Sequence, residues 1–488
     1  MLSANTPYQT ISQVQEALRS GETTVAEITE QYLAAIDEFN GKLNAITRVN
    51  ENALSEAKAL DALEPSKRGP LHGVTILIKD QIETADIPTA FGSRACQSYL
   101  PERDATLARK LKDAGAIILG KTTMPDWAAS WFSTSSLSGT TKNPHDLSRE
   151  PGGSSSGSGA AVAAGLAIAA IGGDTGGSIR LPSSFCGLVG VRVTPGRISR
   201  DGMSSLVVTQ DTPGPMTTNV ADAAKLLDVI IGFDERDDYT AINAMVPASS
   251  SSTPFQHAIK QPRVAGRRLG VLKRAFGSHK GINEVLDRTI TKLQDDGAEM
   301  VDVDVVDLEH YMEYTSLYAV RSKSDINTFL QSRKGLSHLK IENLQKEGTY
   351  HQALDLIDVL VKGPSDFTMS PHLGRRLGAQ AEFQRIVASL FAKYKLDAII
   401  YPTCQLLAPK TQDVLDMRWT CLNFPTNTVI ASQLLFPAVS VPVGRSKDVD
   451  EDPSGPELPV GLEILGLPLG EEELMAVAAG VEAACSGK

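Results

Sequence analysis

The chain has 488 residues, 42% hydrophobic and 22% charged, a composition with ample material for a large globular core. Its 47 Lys and Arg against 58 Asp and Glu leave a net charge of −11, a field that repels polyanions and argues against nucleic acid as a partner. Five scattered cysteines (Cys96, Cys186, Cys404, Cys421, Cys485), odd in number and without a CxxC pair, argue against a disulfide scaffold and suit a reducing compartment.

In chain order, the N-terminus lacks a basic region followed by an apolar one, and no apolar run reaches the roughly 18 residues of a membrane span, so a cytoplasmic protein without a membrane anchor is expected. Residues 10–60 read as helical, with a capping box at Thr24-Val25-Ala26-Glu27. "GVTILIKD" (73–80) reads as a buried strand that delivers Lys79 at its C-terminal end. "DATLARKLKDAGAIILGKT" reads as a helix capped by Asp104, stopped near Gly115 and followed by a strand at Ala116–Leu119. Residues 245–268 read as a surface loop and 280–395 as a mostly polar helical layer. Within that layer "VDVDVVD" is an acidic strand edge that lacks the glycine and terminal Glu of a calcium loop, so no metal is expected. Three late strands are expected in "LDAIIYPT", "FPAVSVPVG" and "LPVGLEILG". Helices alternating with short apolar strands make this an α/β chain.

The stretch "PGGSSSGSGAAVAAGLAIAAIGGDTGGSIR" (151–180) encloses a buried-looking apolar run inside glycine and serine, which suits a site better than a linker. A phosphate-binding P-loop needs a lysine that is absent here, and a dinucleotide-binding turn needs a strand where "TKNPHDLSREP" reads as a loop. Gly153-Ser154-Ser155-Ser156-Gly157 matches a G-x-S-x-G nucleophile elbow but also lacks the preceding strand. Two readings remain: a structural glycine-rich turn, or a pair of serines that meet. Ser154 and Ser178 are 24 residues apart (178 − 154), room for a helix and a strand that return the chain beside its start.

At these residues the sequence resembles the amidase signature family, closest to its peptide-amidase-like branch. The likeness runs in order through "GVTILIKDQIET", "GGSSSGSGAAVAAG", "GGDTGGSIRLPSSFCGLVGVRVTPGRISRDG", "DTPGPMTTNVADAA" and the C-terminal strands. It implies a single α/β/α domain over 1–488 in which helices cover a mixed, twisted sheet. Residues 65–235 would form the signature core, 280–395 a helical cover and substrate region, and 396–488 the strands and helix that complete the sheet. It also implies amide hydrolysis without a cofactor or metal. Ser178 would be the nucleophile, Ser154, after a cis bond from Gly153, the proton relay, and Lys79 the base.

Amide cleavage needs such a set, because the serine must lose a proton as it attacks and the departing amine must gain one. Lys79 can serve only if burial keeps it neutral; otherwise it is an ion-pair partner of Asp80 or Glu83. Backbone N–H groups of Thr175, Gly176, Gly177 and Ser178 are expected to form the oxyanion hole. Asp174 is read as a backbone brace, and Arg180 as a loop brace or a grip on a substrate carboxylate. Gly153 and Trp131 are candidate substrate contacts, with Trp127, Trp131 and Phe132 read as core or pocket wall. Ser337 and Lys340, an S-x-x-K match, are read as coincidence. The chain departs from the family at Ser432 and Leu435, where asparagine and glycine are common, and in "GVRVT". The expected substrate is a small-molecule amide, with ester hydrolysis as a side activity. Alternatives are a carbamate or ester hydrolase and an amidotransferase-type protein that hands ammonia to a partner. Oligomeric state is open, a homodimer included.

Overall fold

A computed structural model describes residues 1–247, 249–449 and 451–486. Short apolar runs give eleven strands among them: β1 (Ile46–Val49), β2 (Thr75–Lys79), β3 (Ile117–Thr122), β4 (Ala169–Asp174), β5 (Val189–Arg192), β6 (Thr212–Thr217), β7 (Arg268–Leu272), β8 (Glu299–Val303), β9 (Ala398–Pro402), β10 (Ala438–Ser446) and β11 (Leu458–Leu465). They form one sheet in the order β1-β3-β2-β4-β6-β5-β10-β11-β9-β7-β8. The sheet is mixed: β2 runs parallel to β3 and β4, and β7 to β8 and β9, while the remaining pairs are antiparallel. Helices pack on it in a single α/β domain, and the acidic run begins within β8, the terminal strand, and continues into the loop after it.

Local chemistry explains most boundaries. Thr24 caps the helix Val25–Leu43 through the Glu27 N–H (3.2 Å), and Glu27 returns to the Thr24 N–H (2.9 Å). That helix stops at Asn44, in the left-handed region at φ 53°, and β1 follows, so residues 10–60 are not helical throughout. Asp104 does not cap the helix Thr106–Asp113. Its carboxylate turns instead to the Ala85 N–H (2.8 Å) and the Lys112 ammonium (2.9 Å), a loop-to-helix tie that competes with capping. The following strand starts one residue later and runs three residues further than the apolar run suggests, ending at Thr122. The presumed loop at 245–268 contains the short helix Pro254–Ala258, whose Phe255 is buried; Ala248 lies outside the described residues.

The apolar run inside the Gly/Ser stretch becomes the helix Ser156–Ala163 and strand β4, both wholly buried. Burial on both faces is what a near-continuous apolar strand in the middle of a sheet reflects. The stretch therefore enters from a loop, makes one helix and returns through β4 to its own starting point.

Candidate active site

Three segments converge at the C-terminal ends of β2 and β4. Lys79 is the last residue of β2 and has no exposed surface. Its Nζ donates to Ser154 Oγ (2.8 Å) and to the Gly173 carbonyl (3.1 Å). Neither Asp80 nor Glu83 is its partner, because Asp80 lies 3.9 Å from Lys121 and Glu83 takes Arg333 at 2.7 Å. Removal from water pushes the Lys79 ammonium down to about 7, against the opposing pull of the Asp174 and Asp211 carboxylates.

The Gly153–Ser154 peptide is cis, and Ser154 is fully buried. The Ser155 N–H donates to the Ser178 carbonyl (3.1 Å), and Ser155 Oγ exchanges hydrogen bonds with the Gly173 backbone (3.2 and 3.1 Å). The two halves of the Gly/Ser stretch thus meet, with Ser178 4% exposed. Among the described residues no hydrogen bond joins the Ser154 and Ser178 hydroxyls; such contacts commonly tighten only when substrate is bound.

The turn Asp174-Thr175-Gly176-Gly177-Ser178 is held from several sides. Asp174 accepts from the Gly177 N–H (3.0 Å), the Ile179 N–H (3.1 Å), Arg180 and Arg192. Burial opposes its charge, but the Arg180 and Arg192 guanidinium groups hold it well below the usual carboxylate range. Gly177 is therefore a correction to the four expected oxyanion donors, since its N–H is committed to Asp174. The N–H groups of Thr175, Gly176 and Ser178 have no acceptor among the described residues. Thr175 is tied through its hydroxyl to Asp211 Oδ1 (2.5 Å).

The glycines are dictated by space as well as by backbone. Gly177 has φ +119°, and a Cβ there would sit 1.8 Å from Thr428 Oγ1; one on Gly176 would meet the Tyr318 hydroxyl at 2.2 Å. Arg180 has zero exposure and commits all three nitrogens internally, to Asp174, Glu463, the Thr428 carbonyl and Ser432 Oγ. That geometry makes it a brace rather than a grip on a substrate carboxylate. Trp127 stacks on Phe91 in the core (5.5 Å between centroids), whereas Trp131 is half-buried with its Nε1 3.7 Å from the Gly176 Cβ position. Gly153 is packed so that a Cβ would fall 2.4 Å from the Phe132 carbonyl.

Tyr318, Thr428, Arg192, Gln210, Asp211 and Glu463 also belong to this site, and none was singled out from the sequence. Three of them lay in stretches already marked: Arg192 in "GVRVT", Asp211 as the first residue of "DTPGPMTTNVADAA" and Glu463 in "LPVGLEILG". At the two positions where the chain departs from the family pattern, Ser432 Oγ accepts from Arg180 (2.7 Å), and Leu435 takes the left-handed conformation (φ 58°) that a glycine adopts without strain. Ser337 contacts only the Lys334 carbonyl and is exposed, far from any such arrangement of donors.

On an α/β scaffold the fold thus gathers a buried lysine, a serine hydroxyl in its reach and a second serine on a turn with unpaired N–H groups. The sequence model of the Amidase family matches residues 27–475, and the chain belongs to this amidase signature family of amide-cleaving enzymes. It is 33% identical over 484 residues to a glutamyl-tRNA(Gln) amidotransferase subunit from Methanosarcina barkeri, covering 96% of each chain. The corresponding protein of Thermoanaerobacter pseudethanolicus is 34% identical over 500 residues, covering 97% of this chain and 96% of that one. Among solved structures, peptide amidase from Stenotrophomonas maltophilia superposes with a TM-score of 0.84 at 29% identity, over 99% of this chain and 98% of that one. The glutamyl-tRNA(Gln) amidotransferase subunit from Thermotoga maritima gives 0.75 at 27%, over 99% and 96%. No helix among the described residues is long and apolar enough to cross a membrane.

Proposed function

We propose that the chain hydrolyses a carboxamide C–N bond through an acyl-enzyme on Ser178 and releases ammonia or an amine. The observation that carries this reading is the desolvated Lys79 ammonium at 2.8 Å from Ser154 Oγ. Neutral Lys79 takes the Ser154 proton as Ser154 takes that of Ser178, and Ser178 Oγ attacks the carbonyl carbon. The developing oxyanion faces the unpaired N–H groups of the turn, those of Thr175, Gly176 and Ser178, whose preorganised donors stabilise the charge as it forms. The departing nitrogen takes its proton back through Ser154. Water then cleaves the acyl ester by the same relay, and no cofactor or metal enters the scheme.

Labelling with a fluorophosphonate and mass mapping of the modified peptide tests the reading. Labelling at Ser178 that Lys79→Met slows by about 10²- to 10⁴-fold supports it. Labelling at Ser155 would return the reading to a nucleophile elbow.

A second reading has the 33–34% identity to the amidotransferase proteins behind it: ammonia freed at the same site passes to a partner protein. Ammonia release from L-glutamine, peptide C-terminal amides, aryl amides, carbamates and aryl esters separates the two. A preference for glutamine favours the partner-coupled role, and a preference for peptide or aryl amides favours the free-standing hydrolase.

A further inference from the structure

We propose that Gln210 and Asp211 are positioning residues that aim the oxyanion-hole N–H of Gly176. This rests on the Ser178 hydrolase reading above.

A trans peptide is planar, so its C=O and the following N–H point in opposite directions. Two consecutive carbonyls of the turn are gripped by side chains. Gln210 Nε2 donates to the Thr175 carbonyl (3.3 Å), and Thr428 Oγ1 donates to the Gly176 carbonyl (2.9 Å). The second grip turns the Gly177 N–H to the opposite side, where it meets Asp174. By the same rule the first grip turns the Gly176 N–H away from Gln210, leaving it without an internal acceptor and free for an oxyanion.

Asp211 completes the hold on Thr175. Its carboxylate accepts from Thr175 Oγ1 (2.5 Å), the Leu206 N–H (2.9 Å) and the Val207 N–H (3.2 Å), and the residue is 2% exposed. The pair is itself anchored: Arg192 Nη2 donates to the Gln210 carbonyl (2.9 Å), while Nη1 donates to the Asp174 carbonyl (2.9 Å). One arginine thus ties the start of the turn to the dipeptide that orients it. β6 begins at the next residue, and Thr212 pairs with Asp174 in the ladder, which fixes the register of the two.

The charged and titratable groups facing Asp211 are Lys79 on β2, Arg192 on β5, Arg200 on the loop that leads to β6 and the Tyr318 phenol on the helix Tyr318–Gln331; Asp174 shares Lys79 and Tyr318 with it. Burial pushes the Asp211 carboxyl up to about 6, so it is ionised where Lys79 titrates, near 7. Its negative charge favours the ammonium form of Lys79.

The test measures the rate constant for fluorophosphonate inactivation of the full chain against pH, with thermal unfolding as a control. Asp211→Asn is expected to lower the plateau about 10- to 100-fold, the order of part of one oxyanion donor. Gln210→Leu and Thr175→Val are expected to lower the plateau about 10-fold, and Thr175→Ser, which keeps the hydroxyl, to stay within about twofold of wild type. The proposal is overturned if Gln210→Leu and Thr175→Val react at the wild-type rate, or if a folded Asp211→Asn does. Should Asp211→Asn fail to fold, Gln210→Leu and the Thr175 pair decide the positioning claim. If wild type is unlabelled at Ser178, or Lys79→Met keeps the acid limb, the hydrolase reading itself is wrong and this proposal falls with it. With Ser178 labelled and Lys79→Met inert, only the positioning claim is at stake.

Discussion

Replacing Lys79 by methionine should inactivate the protein and stabilise it, and the second effect follows from the same burial that makes the first. The folded-state value is about 7 against an ordinary 10.5, a difference of about 3.5 pH units caused by desolvation. At about 1.36 kcal/mol per pH unit, keeping this lysine in the folded chain costs about 5 kcal/mol below pH 7. Because the folded value is lowered, the unfolded chain binds the extra proton: the penalty is full below pH 7 and disappears as pH rises towards 10.5. Methionine fills a similar volume without a charge but forfeits two hydrogen bonds, to Ser154 and Gly173, together worth about 2 kcal/mol. A net gain of about 3 kcal/mol remains at pH 6, which for a chain of 488 residues is a rise in Tm of about 3 °C. Differential scanning calorimetry of both proteins at pH 6, 8 and 10 reads it directly. A variant that is less stable than wild type by the same amount at every pH would refute the reasoning, since the lysine would then carry no desolvation penalty.

The acid limb of fluorophosphonate inactivation should fall near pH 7, with rates dropping about tenfold per pH unit below it as Lys79 protonates; a rate independent of pH between 5 and 8 would exclude Lys79 as the base. Gly177→Ala places a methyl 1.8 Å from Thr428 Oγ1 at a backbone φ of +119°, so labelling of Ser178 should fall by about 100-fold or more while the far-ultraviolet spectrum is kept; labelling at the wild-type rate would mean the turn is not the reacting element. Asp174→Ala leaves the Arg180 and Arg192 charges buried without their shared carboxylate. It should cost about 3–5 kcal/mol, read as a lower urea midpoint.

Much of this site was legible because its chemistry is local in sequence. The strand that delivers Lys79, the helix and strand between the two serines, and the crowding that demands Gly176 and Gly177 all leave a mark within a few residues: β-branched apolar runs, a fixed spacing, paired glycines. What was not legible depends on residues distant in the chain. Thr428 reaches the turn from 252 positions away, and Glu463 reaches Arg180 from 283. No periodicity announces either. The misread cap has the same origin. Asp104 has the residue type for capping its own helix, but Ala85 and Lys112 compete for the carboxylate, and a tertiary hydrogen bond outweighs the local preference.

Gly177 shows why this matters for function. Its residue type correctly signalled a turn without side chains, and from the sequence all four N–H groups looked equivalent as oxyanion donors. They are made unequal by Thr428 and Gln210, which grip alternate sides of successive peptides and so assign one N–H inward to Asp174 and leave another outward. The sequence of the turn specifies its glycines, and side chains from the approach to β6 and from a distant loop specify which of its amides are left without an internal acceptor.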